Sequence, residues 1–209
     1  MLAWLIDLAL HLDRHLVELL THVDLWIYPI LFAVIFAETG LVITPFLPGD
    51  SLLFAVGALA AVDTRGTLSA PLASLTLGTA AVLGNIVNYS IGRAIGPPAF
   101  SGRYRLLKVQ YLRRTEEFFL RHGRLAIFLS RFMPIIRTCA PFVAGIGRMP
   151  YARFLTYNLA GGFAWVLLFI WGGYLFGNVP LVKQHFGLVT LAIIALSLVP
   201  LASTVLRRP

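Results

Sequence analysis

FAETGLVITPFLPGDSLL, residues 36–53, sets two carboxyl groups, Glu38 and Asp50, into an otherwise apolar stretch broken by Pro45 and Pro48. A second stretch, LSRFMPIIRTCAPFVAG at residues 129–145, does the same with bases: Arg131 and Arg137 flank Pro134, and Pro141 follows. Charge in hydrocarbon is costly, so ionisable side chains at membrane depth face a cavity or one another and mark routes for ions or polar groups. Acids in one broken segment and bases in another predict a membrane transport site.

Composition supports the membrane. Of 209 residues, 58% are hydrophobic and only 12% charged, about half the charge of an ordinary soluble domain, and the mean hydropathy is +0.83. The net charge of +8 lies in connections between apolar segments. That is the positive-inside pattern; the apolar content leaves too little soluble chain for a basic nucleic-acid face. The single cysteine, Cys139, excludes an internal disulfide. The N-terminus has neither a basic leader nor a small-residue cleavage site, so no cleavable signal is expected.

A full span needs roughly 20 apolar residues. Leu72–Ile91, Phe154–Gly177 and Phe186–Leu206 meet this and are predicted as three spanning helices. Leu25–Val62 is too long for one helix and is interrupted, and Leu125–Gly147 carries two charges and two prolines. The connection Arg93–Arg124 holds eight Arg/Lys against Glu116 and Glu117, and Arg148, Arg153, Arg207 and Arg208 are also basic, so all should be cytoplasmic. Residues 125–147 then enter and leave on one side, as a re-entrant hairpin. The same logic favours a hairpin from the opposite face at 25–62, although charge counting also admits a plain span at 25–44. The expected architecture is all-α. It has an N-terminal amphipathic helix (1–24) and one transport domain (25–209), with the two hairpins as an inverted pseudo-repeat, a recurrent transporter design.

The residue types suit the chemistry. Low dielectric penalises the charged form of a carboxyl, so Glu38 and Asp50 read as proton-exchanging groups; pairing with arginine, or an N-cap role for Asp50, is the competing reading. Guanidinium forks grip phosphate and stay charged, so Arg131 and Arg137 read as an anion site, and ion pairs with the two acids are compatible with that. Pro45, Pro48, Pro134 and Pro141 read as helix breaks. In GNIVNYSIGRAIG (84–96), Asn85, Tyr89 and Arg93 are secondary candidates, while Gly92 and Gly96 suggest helix packing, as do Gly173 and Gly177. Asp7, His11, His15, Glu18 and His22 share one helix face, but an interfacial helix needs a polar face anyway. No metal or cofactor is expected. The basic helix Gln110–His122 reads as another interfacial element, beside anionic lipid.

These motifs resemble the DedA family of membrane proteins. The likeness rests on Phe36–Leu53, Asn88–Gly96, Ser130–Gly145 and the later Asn158, Gly161 and Trp165, in order and spacing, and covers nearly the whole chain. The resemblance implies proton-motive-force-dependent lipid transport across the bacterial inner membrane, with undecaprenyl phosphate as substrate. It also matches Glu38, Asp50, Arg131 and Arg137 to the family's essential positions. Many members carry Asp where this chain has Asn85. The alternatives are a less selective phospholipid scramblase and a non-transporting assembly factor. A lipid phosphatase is disfavoured because none of the five histidines falls in the two hairpins. The expected partners are an anionic lipid, the bilayer and protons. The sequence leaves the oligomeric state open, a homodimer included.

Overall fold

The computed structural model describes residues 24–40, 49–63, 65–96, 98 and 109–179, and every regular element among them is helical. A 3-10 turn, Asp24–Trp26, leads into α1, Ile27–Gly40. α2 is Gly49–Val62 and α3 is Ala70–Ile95. α4, Val109–His122, is joined by a 3-10 turn at Gly123–Leu125 to the five-residue α5, Ala126–Ser130. α6 is Pro134–Ile146 and α7 is Tyr151–Gly177. The predicted spans at Leu72–Ile91 and Phe154–Gly177 thus correspond to α3 and α7. The third, Phe186–Leu206, lies outside the described residues, as do the N-terminal helix (save Asp24) with its histidine face, Pro45, Pro48 and residues 99–108.

Two of the described helices, α3 and α7, are long and apolar enough to cross a membrane. With 26 and 27 residues at 1.5 Å each, α3 and α7 reach about 40 Å, more than the roughly 30 Å of a hydrocarbon core. Both present large apolar side chains outward: Leu75, Leu83 and Val87 on α3, Leu159, Leu168 and Leu175 on α7. Water would penalise so much exposed apolar surface, whereas acyl chains accept it. This is an integral membrane protein.

The helices group into two compact units. In the first (24–30, 49–63, 65–74 and 167–179), α2 packs on the C-terminal part of α7. A Cβ added at Gly57 would lie 1.9 Å from the Ile170 carbonyl oxygen, and one at Gly173 2.0 Å from that of Phe54. Only hydrogen fits there. Gly177 meets Ala58 in the same seam, so the Gly173–Gly177 spacing serves packing as expected. Tyr28 ties α1 to the turn before α3: its hydroxyl donates to the Thr67 carbonyl at 3.1 Å and accepts from the Ser69 N–H at 2.8 Å.

In the second unit (31–40, 75–96, 98 and 109–166), α3 carries a stripe at every fourth residue: Gly84, Asn88, Gly92. Gly84 abuts Thr39, Gly92 abuts the Phe142 carbonyl, and Gly145 of α6 abuts the Tyr89 carbonyl in return. Gly96, the expected partner of Gly92, does something else. It adopts φ +66 just past the helix, the left-handed stop that glycine makes without penalty. α4 lays Leu112, Thr115 and Phe119 inward, with Leu112 and Phe119 packed with Cys139, Phe142 and Val143 of α6. Its Leu120 faces out at 83% exposure, as suits a helix at an apolar boundary.

The break in residues 125–147 has a local cause. A residue before proline is pushed to extended backbone, and Met133 takes φ −121, ψ 104. Helix therefore stops at Ser130, and three successive N–H groups (Arg131, Phe132, Met133) bond back only three residues. It restarts with Pro134 at the first position, where no N–H is needed. Pro141, expected as a second break, instead lies inside α6. It withholds a single N–H from the Arg137 carbonyl, and packed neighbours in a membrane protein absorb such a loss.

Candidate functional site

Glu38 occupies the last turn of α1 and is 1% exposed. Its Oε1 accepts a hydrogen bond at 2.8 Å from Nη2 of Arg137, one turn into α6, which is 7% exposed. Acid and base thus meet, 99 residues apart in the chain. The Arg137 guanidinium also lies 4.8 Å from the ring centroid of Trp165 on α7.

Arg131 stands in the break between α5 and α6, and its guanidinium lies 5.9 Å from the same Trp165 ring. Its Nη2 donates to Oδ1 of Asn158 at 2.8 Å and to the Ala81 carbonyl at 3.2 Å. Gly161 and Gly162 make the room: a Cβ at Gly162 would come 3.2 Å from that nitrogen. Asn158 is fixed in turn, donating to the Val82 carbonyl at 3.1 Å and accepting from Nδ2 of Asn85 at 2.9 Å. Asn88 donates to the carbonyls of Thr39 at 3.1 Å and Thr138 at 2.9 Å. One amide thereby links α1, α3 and α6 beside the ion pair.

Of the other expected site residues, Tyr89 is buried against Phe154, with ring centroids 4.3 Å apart, and donates to the Met149 carbonyl. Arg93 is exposed and reaches the Tyr89 hydroxyl at 3.4 Å. Asp50 belongs to the first unit, half-buried in the first turn of α2. The two arginines, Glu38 and Asn85 therefore share one unit. In the sequence Asn158 and Trp165 stand out only through the family resemblance, and Thr39 and Thr138 not at all. Their available signal was polarity on the faces that carry glycine.

An ion pair and a second arginine, buried around one tryptophan midway along a membrane-length helix, define a polytopic membrane protein with an internal polar site. The family model of the VTT domain matches residues 47–175. Protein DedA of Escherichia coli K12 is 46% identical over 205 residues, covering 98% of this chain and 93% of that protein. Inner membrane protein YghB of the same organism is 37% identical over 183 residues (87% and 79%). A membrane protein of Mycobacterium leprae, ML0287, is 41% identical over 173 residues (82% and 76%). No solved structure matches. The chain belongs to the DedA family.

Proposed function

We propose that this protein carries a phosphate-bearing lipid across the bacterial inner membrane together with protons, driven by the proton-motive force, with a polyprenyl phosphate such as undecaprenyl phosphate as the cargo. The observation that supports it most is the buried Glu38–Arg137 pair with Arg131 against the same tryptophan. A carboxylate and a phosphate are competing partners for one guanidinium. Protonating Glu38 weakens its hold on Arg137 and frees donors for phosphate; losing the proton re-forms the pair and expels the lipid. Proton and phosphate then favour each other's binding, as linkage requires. Asp50 is proposed as a second proton site.

The lengths of α1 and α2, 14 residues each or about 21 Å, fall short of a full span, which supports a re-entrant pair there. The α5–α6 break supports another, opening to the cytoplasm together with the C-terminus.

Proteoliposomes holding a fluorescent polyprenyl phosphate test the reading. An imposed pH gradient should drive translocation by the wild type, and Glu38→Gln should cut that rate at least tenfold. Translocation that ignores the gradient and survives Glu38→Gln would replace this mechanism with scrambling.

A further inference from the structure

The two buried arginines carry the same charge but are compensated differently. Arg137 has the Glu38 carboxylate at 2.8 Å. Arg131, only 1% exposed, is held by neutral oxygens, Asn158 Oδ1 and the Ala81 carbonyl, and by the Trp165 face. Its Nε and Nη1 have no hydrogen-bond partner among the described residues. Glu38, whose field reaches Arg131 as well, is hydrogen-bonded to Arg137, and one carboxylate cannot balance two guanidiniums; a buried cation in excess of its counter-charge is expensive. Aspartate has the shape of asparagine and would supply that charge at position 158 without needing more space. Nor is the amide there by default. Its oxygen is turned to Arg131 by the bond its own nitrogen makes to Val82, and Asn85 donates to the same oxygen. The Oδ1 of Asn85 also has no hydrogen-bond partner among the described residues.

We infer that Asn158 is a positioning residue that orients Arg131 without neutralising it, so that the missing negative charge is delivered by an incoming anion. Resting on the reading above, that anion is the phosphate monoester of the lipid. Arg131 is then the standing anchor of the site, and Arg137 the arginine that changes partner. A P–O⁻ oxygen matches the spare donors of Arg131, and a P–OH group matches the spare oxygen of Asn85.

The test uses the full-length protein in detergent, with dodecyl phosphate titrated calorimetrically. Thermal stability is read from the reactivity of the only thiol, Cys139, which is buried. Asn158→Asp should bind dodecyl phosphate at least tenfold more weakly than wild type, while its Tm holds or rises because a buried charge has gained its partner. Asn158→Ala, which removes the clamp but adds no competing charge, should bind more weakly than wild type yet clearly more tightly than Asn158→Asp, and should melt lower. The inference is overturned if Asn158→Asp binds within twofold of wild type, if Asn158→Ala is as weak as Asn158→Asp, or if Asn158→Asp melts lower than wild type. A wild type that does not bind dodecyl phosphate overturns the phosphate reading instead. The Tm comparison still judges the role of Asn158 in that case.

Discussion

Glu38→Ala and Arg137→Ala should each destabilise the protein by about 3–5 kcal/mol, because removing one member of a buried ion pair leaves the other charge in a medium that cannot solvate it. Both side chains are almost fully buried, at 1% and 7% exposure, and their contact is short. Solvent screening therefore cannot soften the loss, as it does for surface pairs. The double variant Glu38→Leu/Arg137→Met should recover most of the stability, since an apolar pair of similar volume is often neutral or better in such a site. It should nevertheless stay inactive in the translocation assay. Stability would be measured by SDS titration or by thermal exposure of Cys139. Two single variants that each cost under about 1 kcal/mol and add without coupling would show that the pair contributes nothing in the membrane.

A comparable loss is expected from one methyl group at the α3–α6 contact. A Cβ at Gly92 would lie 2.1 Å from the Phe142 carbonyl oxygen, and one at Gly145 2.1 Å from that of Tyr89. Overpacking usually costs about 1–3 kcal/mol because side chains rotate away. Here the obstacle is backbone on both sides, so the helices themselves must part. Gly92→Ala should fall at or above the top of that range, and Gly92→Val should prevent accumulation of folded protein. Gly147→Ala is the control, since its Cβ would have only the Val143 oxygen at 3.4 Å and little else nearby. Gel filtration of the detergent-extracted protein reports both. A Gly92→Ala protein as stable as Gly147→Ala would refute the close approach.

Much of this was legible in the chain, and the exceptions have physical reasons. α3 and α7 announce themselves because a run of apolar residues has few other uses. Glu38, Arg131 and Arg137 stand out because charge in such a run is improbable without a role. What the sequence could not supply was pairing. Arg137 and not Arg131 meets Glu38, and that depends on how helices 99 residues apart pack, to which spacing along the chain is blind. Asn158 was nearly silent for another reason: one neutral amide hardly perturbs the hydropathy of a 27-residue helix, although it holds the guanidinium. Pro134 and Pro141 look alike on paper. The first ends a segment because the residue before it turns extended, whereas the second gives up one hydrogen bond inside a packed helix.

The position of Trp165 has an electrical consequence. It stands fourteen residues from Tyr151 and twelve from Gly177, close to halfway along a membrane-length helix, with Arg137 and through it Glu38 at the same level. A proton arriving at Glu38 from either side would therefore cross about half of the membrane voltage, roughly 1 kcal/mol per 100 mV. If Glu38 is the proton site proposed above, it reads the membrane voltage as well as the pH gradient. A potassium diffusion potential set with valinomycin, at equal pH on both sides, should drive translocation on its own. Translocation that answered to a pH gradient but not to voltage would argue against Glu38 as the proton site proposed above.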